Sequence, residues 1–342
     1  MRFKQRVKRG LMVNPFLLFL LCFSFQVEAS QTPQLLWPVS CQLNQNCWIV
    51  HHVDVNKNTQ KSQDYACGSL TYEAHKGTDI AVQDLHHLER GIDILAALGG
   101  TVLRVRNDMK DHAYSKIQKN KTIETFGRDC GNGVVIDHGQ GWQTQYCHMK
   151  QNSILVKPGQ NILPGRKLGE MGLSGKSEFA HLHFALRQHN QVIDPFTGMD
   201  NQTGCGQKQN TLWSDPVIYQ PVSLYAAGFS PEVPVYEALL QDSRSLEKMA
   251  VSSPVLTFWT LIYGTQKNDE ITLKIIDPDG ALYQKSQQIQ AKNRIRQFYY
   301  TGKRNRTQPL KTGIYKGIVT LRRQQRDGTI FERKIQRRLT VQ

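Results

Sequence analysis

Two short motifs in this chain carry residue types that can do chemistry. The first is His75-Lys76-Gly77-Thr78-Asp79, an H-x-x-x-D. The second is His181-Leu182-His183, followed by Phe184. On a strand, residues i and i+2 project to the same face, so both imidazoles of the second motif line one side, ~7 Å apart at ~3.3 Å per residue. Leu182 and Phe184 then face the core behind them. Gly77 lets the backbone bend so that His75 and Asp79 converge. Two imidazoles and one carboxylate suit Zn²⁺ and leave a coordination position open for water, as a catalytic site needs. One histidine of the pair can bind the metal while the other reaches a water or a substrate oxygen.

Neither motif is specific by itself. A lone H-x-H is more often structural, and a lone H-x-x-x-D more often chance. Gln145-Tyr146-Cys147-His148-Met149 changes the balance, because it reads as a strand carrying one more histidine between them. No H-E-x-x-H helix and no Gly-x-Ser-x-Gly elbow occurs, which argues against a thermolysin-like peptidase and a serine hydrolase. The remaining histidines have blander readings. His138 falls in a Gly-rich turn, a structural position. His51, His52, His86, His87, His112 and His189 lie in polar stretches and are expected at the surface, with the His51-His52 pair singled out because an N-terminal segment can fold over a groove. Lys76 and Thr78 shape the loop.

The elements that must position these residues are short strands and Gly turns. Gly91–Arg106 reads as two strands around Gly99-Gly100, and 134–136, 143–146 and 182–186 are further strands. Residues 30–65 are polar and irregular, and residues 107–127 form a lysine-rich surface excursion. Residues 195–215 mark a boundary. Beyond it, 255–263, 270–276, 281–289, 296–300, 314–322 and 330–341 favour strands separated by turns such as Asp277-Pro278-Asp279-Gly280 and Asp327-Gly328. The expected fold is mostly β: an antiparallel-sheet domain over 30–205 with its motif core at 70–196, a linker at 206–214, and a C-terminal β-sandwich of immunoglobulin-like size at 215–342.

The N-terminus reads as an export signal. Arg2, Lys4, Arg6, Lys8 and Arg9 precede an apolar run from Leu11 to Phe25, and Val27-Glu28-Ala29 offers a cut after Ala29. The run falls short of the ~20 residues of a spanning helix. Residues 1–29 are thus a signal peptide, and the mature chain is periplasmic, envelope-bound or secreted. Cys22 leaves with the signal, and six cysteines remain for disulfides in an oxidising compartment. Cys130 and Cys147 flank a hairpin and can pair with Asp137 set opposite Gln140. Cys41–Cys47 closes a short loop, and Cys67–Cys205 follows by elimination.

The chain has 342 residues, with 43 Lys and Arg against 28 Asp and Glu, a net +15. Its ordinary hydrophobic content excludes a disordered chain and a multispan membrane protein. The basic surplus is local: Lys285 to Gln342 holds 16 Lys and Arg against two acids, Asp327 and Glu332. That stripe is either a solvated strand face or a site for an anionic envelope polymer or membrane surface. Nucleic acid is not expected in an exported chain without a reading motif.

In order and spacing the motifs resemble the lysostaphin/LytM-type zinc metallopeptidases, a family of peptidoglycan endopeptidases. The resemblance runs over residues 70–196: His75…Asp79, then Tyr146-Cys147-His148-Met149, then Gly169-Glu170-Met171-Gly172-Leu173-Ser174-Gly175, then His181-Leu182-His183-Phe184, closing on Val192-Ile193-Asp194-Pro195. Met149 stands where the family usually has Leu, and Ala180 where it often has Gly or Pro; neither removes a ligand. The cysteine-containing N-terminal segment resembles a Gram-negative subgroup. The resemblance implies that His75, Asp79 and His183 hold one zinc and that His148 and His181 form the catalytic pair, without saying which is the base. It implies peptidoglycan stem peptides as substrate. Two other functions compete: a non-enzymatic activator of another murein hydrolase, and an envelope polyanion-binding protein. Oligomeric state is open.

Overall fold

A computed structural model describes residues 1–2, 32–58, 60–112, 127–208, 210–305, 308–325 and 327–342. All of the proposed signal segment but Met1 and Arg2, and most of the lysine-rich excursion, lie outside the described residues. Among the described residues no helix is long and apolar enough to cross a membrane. Thr32–Gln342 forms one compact unit.

The first half is built on an eight-stranded sheet. Its strands are β1 (Cys47–His51), β2 (Thr78–Val82), β4 (Gly100–Arg106), β5 (Asn132–Asp137), β6 (Trp142–Met149), β7 (Asn161–Ile162), β9 (His181–Gln188) and β10 (Gln191–Ile193). Their spatial order is β1-β2-β9-β6-β5-β4-β7, with β10 beside β9. The two strands expected in Gly91–Arg106 both exist, but they part company. β3 (Asp93–Leu95) pairs with β8 (Lys167–Glu170) in a separate two-stranded sheet. The stretch expected to be irregular, 30–65, contains β1, which pairs antiparallel with β2 as the edge of the main sheet. Alternation along β9 sends Leu182, Phe184 and Leu186 into a core with Ile80, Ile136 and Tyr146.

All three expected disulfides are present: Cys41–Cys47, Cys67–Cys205 and Cys130–Cys147. The hairpin register differs. Asp137 pairs with Gln143, not Gln140, because the connection is a longer turn closed by His138 N–H to Trp142 O. The disulfide still forms, since Cys130 sits before the strand begins and an irregularity between Asn132 and Val134 brings it back into reach.

The second half has two sheets. One joins β11 (Ser223–Ser230), β13 (Val255–Thr265) and β16 (Arg294–Arg304). The other runs β12 (Lys248–Met249), β18 (Ile330–Val341), β17 (Gly313–Gln324), β14 (Glu270–Ile276) and β15 (Leu282–Ile289). Phe229, Leu256, Phe258, Leu273, Val319 and Leu339 fill the core they share. The opposite face of β13 is also covered. Trp259, Leu261 and Tyr263 join Tyr225 and meet Trp48, Val50 and Ala81 of the first half in one apolar cluster. β13 is therefore buried on both faces, which explains its nearly unbroken apolar run. Two short helices, α1 (Leu85–Glu89) and α2 (Tyr236–Gln241), flank this seam. It is also stitched by polar contacts: Asp84 caps α1 through His87 N–H and accepts two hydrogen bonds from Ser243. Leu212 and Trp213, from the expected linker, are buried in the first core.

Candidate metal and catalytic site

Register assembles the site. Asp79 on β2 lies opposite both His183 on β9 and His51 on β1, and Cys147 on β6 lies opposite His183. Directly opposed residues share a face, so Asp79 and His183 meet on the side away from the core. Asp79 Oδ1 stands 2.8 Å from His183 Nδ1 and 3.1 Å from His75 Nε2, and the two nitrogens are 3.1 Å apart. His75 comes from the loop before β2, and that loop must press against β9. A Cβ on Gly77 would lie 2.6 Å from Phe184 O and 2.7 Å from the His183 ring, so only glycine fits.

His181, two residues before His183, is on the same face. His148 needs a different device. Strand alternation would turn it away from Cys147, but its φ of 61° swings it into the site. Its ring centroid then lies 4.6 Å from that of His181. Such a φ costs a non-glycine residue ~1–2 kcal/mol and is held here by hydrogen bonds. His148 N–H donates to Cys130 O, and His148 Nδ1 donates to Ser174 O at 2.8 Å. The Ser174 loop is fixed in turn by Asn132, whose N–H donates to Ser174 Oγ, and by Gly175, where a Cβ would sit 2.4 Å from Asp129 O.

The tautomers follow from elementary valence. A carbonyl oxygen only accepts, so each imidazole nitrogen facing one carries the proton. His148 Nδ1 faces Ser174 O, and His181 Nδ1 faces Phe179 O at 2.8 Å. Both rings therefore keep Nε2 as a lone pair when neutral. Burial pushes His148 well below the ordinary histidine value and lowers His181 to about 4. His75 Nδ1 donates to His52 O at 2.7 Å, which leaves Nε2 of the neutral ring as a lone pair aimed at a carboxylate oxygen. Burial works against charge on Asp79, yet the imidazoles of His75 and His181, with hydrogen bonds from His183 and His51, hold it well below the ordinary carboxylate value.

Three lone-pair donors facing one another call for a cation: a proton shared with Asp79, or a metal that displaces it. The ligand atoms of His75, Asp79 and His183 lie within 4.8 Å of one another, and they are the N, N, O set that zinc accepts. Bonds of ~2.0–2.1 Å in a tetrahedral arrangement place ligand atoms ~3.3 Å apart, close to the spacings found here. The residues present fit the metal.

Two residues overturn their sequence reading. His51 and His52, expected at the surface, are 4% and 1% exposed. His51 Nδ1 donates to Asp79 Oδ2 at 2.8 Å, orienting the carboxylate from behind. His52 supplies the carbonyl that fixes the tautomer of His75. The signal was the apolar run Trp48-Ile49-Val50 inside a stretch read as irregular, which belongs to an edge strand, Cys47–His51, aligned on Asp79. Of the others, His112 and His189 are exposed and His86 and His87 half-buried; His138 bridges Gly99 O and Thr144 Oγ1, a structural position.

Fold and cluster together define a β-sheet site in which two imidazoles and one carboxylate converge beside a second imidazole pair. Residues 73–195, about a third of the chain, match the sequence profile of peptidase family M23. It is 32% identical over 112 residues to the peptidoglycan DD-endopeptidase ShyA of Vibrio cholerae, covering 33% of this chain and 20% of that protein. It is 31% identical over 108 residues to a lipoprotein NlpD/LppB homolog of Pseudomonas aeruginosa, covering 32% of each. Among solved structures it is similar to the catalytic domain of the antimicrobial peptidase lysostaphin from Staphylococcus simulans, at 20% identity and a TM-score of 0.26, over 36% of this chain and 77% of that one. The chain thus spans a fifth to a third of the length of these two curated relatives.

Proposed function

We propose that the chain is an exported, zinc-dependent endopeptidase that hydrolyses the peptide cross-links of peptidoglycan. The observation that carries this reading is the convergence of five side chains, His75, Asp79, His183, His148 and His181, with the last two keeping Nε2 as a lone pair on carbonyl-anchored rings and that of His181 3.7 Å from Asp79 Oδ1. In this reading His75, Asp79 and His183 hold one zinc. Bound there, zinc supplies a Lewis acid that polarises a peptide carbonyl and acidifies a water. Everything else falls to the chain. One of His148 and His181 takes the proton of the attacking water at Nε2 and returns it to the leaving amine. The other steadies the tetrahedral oxyanion, a step for which its Nε2, a lone pair in the resting ring, must first take up a proton from solvent. His51 holds the Asp79 carboxylate, and the carbonyls of His52, Ser174 and Phe179 hold the rings of His75, His148 and His181.

The relatives' names support peptidoglycan as substrate and the bacterial envelope as location, periplasmic or secreted after removal of residues 1–29. Residues 30–205 form the catalytic domain in this reading and 215–342 a second domain. The basic surplus supports a role for that domain against an anionic envelope polymer. Lys316 lies directly opposite Arg338, and Lys274 opposite Lys285, all four exposed on one sheet face. Like charges so placed repel, and a polyanion relieves them.

The test uses mature protein from Ser30 and intact sacculi, with soluble fragments analysed by mass. Chelator-sensitive loss of cross-linked dimers, absent in His181→Ala, is the expected result. A zinc-loaded protein that digests nothing points instead to an activator of another hydrolase.

A further inference from the structure

The seam between the two halves holds a cavity of about 530 Å³ that is open to solvent on one side. Val82, Leu173 and Phe179 line it from the first half, and Tyr236, Tyr263 and Arg296 from the second. It adjoins the catalytic pair through the backbone. Phe179 supplies the carbonyl that orients His181 and rests its ring 4.7 Å from that imidazole. Leu173 precedes Ser174, which anchors His148.

Arg296 sets the cavity's chemistry. Its guanidinium lies 4.6 Å from the centre of the Phe179 ring, with Tyr263 lining the same cavity. It is half-buried, and it makes no ion pair with any described carboxylate. Two nearby acids are already committed elsewhere. Asp84 accepts from His87 and Ser243, and Asp111 from the backbone N–H groups of Gln151 and Leu173. Glu178 and Glu237 on the rim are exposed. A planar cation fixed on an aromatic face, with its donors unclaimed by a carboxylate, is built to receive one in a forked contact.

We propose that this cavity is a substrate subsite in which Arg296 binds a carboxylate of the peptide while Phe179 and Tyr236 pack its apolar parts. The second half of the chain would then be a wall of the cleft that selects substrate. The proposal takes its ligand from the peptidase reading but can fail separately from it.

The test is calorimetric titration of the full mature chain, in chelator to hold turnover off. The probes are a soluble cross-link peptide with a free C-terminal carboxylate and the same peptide as its amide. The acid should bind about 10- to 100-fold more tightly, the worth of a charge-assisted pair. Arg296→Ala should erase that preference without changing amide binding, and Arg296→Lys should keep part of it. Equal binding of acid and amide overturns the subsite, as does a preference that survives Arg296→Ala. Absence of binding by a protein that digests sacculi also overturns it and leaves the peptidase reading standing. Preferential binding by a protein that never digests sacculi sustains the subsite and sinks the peptidase.

Discussion

Replacing His51 tests whether the site is held from behind as the structure indicates. His51→Ala deletes the 2.8 Å hydrogen bond from Nδ1 to Asp79 Oδ2, between groups that are 4% and 2% exposed. Hydrogen bonds to a buried charge are worth ~1.5–3 kcal/mol. If that is lost wholly from the metal-loaded state, zinc affinity falls about 10- to 100-fold, the range found when an outer-sphere partner is removed. Truncation also removes the ring's edge contact with Tyr72, at 5.1 Å between centroids, so the apo-protein loses stability too. His51→Asn separates the two effects, since its amide can still donate but fills less space. The assay is zinc competition against a chromophoric chelator, with melting curves on apo-protein. An unchanged zinc affinity in a folded His51→Ala protein would refute the argument, and a loss that His51→Asn fails to reduce would mark it as packing alone.

Other expectations follow from the same geometry. His183→Ala should lose zinc and activity together, while His148→Ala should bind zinc, by metal analysis, and lose most turnover. Gly77→Ala must displace either Phe184 O or the His183 ring, so zinc content should drop while circular dichroism stays native. Cys67→Ser with Cys205→Ser opens a loop of 138 residues, worth about 5 kcal/mol in chain entropy, which denaturant titration would read as a lowered midpoint. Asp194 is wholly buried and its carboxyl is raised by burial from 3.8 to about 7. The folded state therefore binds more protons than the unfolded one in that window, and stability declines as pH rises through it, then levels off. At ~1.4 kcal/mol per tenfold the ceiling is about 4 kcal/mol, and Asp194→Asn should flatten the decline; an unaltered pH profile would remove Asp194 from the account.

The parts of the site that could be read from sequence were those whose spacing obeys a local rule. His181 and His183 stand two apart on a strand, and each turns out to face the same side. Gly77 marks a close approach that only glycine tolerates. The histidine of the Gln145–Met149 strand was legible as a third feature, but the catalytic role of His148 came only with the resemblance, because alternation alone would have turned it away; a left-handed φ, invisible in composition, brings it back. His51 and His52 were misread for a related reason. A histidine pair in a polar stretch has no local mark of burial, and what buries it is β1 joining the sheet edge opposite Asp79, about 28 residues on.

What the second half packs against was hidden for a similar physical reason. All six expected strands there are present, because alternation and turns are local. What they pack against is not. β13 reads as one apolar run, and nothing in it separates Phe258 and Ile262, which face the second core, from Trp259, Leu261 and Tyr263, which face the first half. A strand buried on both sides must be covered by two partners. Once Trp48, Val50 and Ala81 supply the second cover, the halves are fixed relative to each other, and Arg296 on the neighbouring strand reaches Phe179 beside His181. The substrate selection proposed for the second half thus depends on the apolar seam: separate the halves on a flexible linker and the cavity loses three of its named walls.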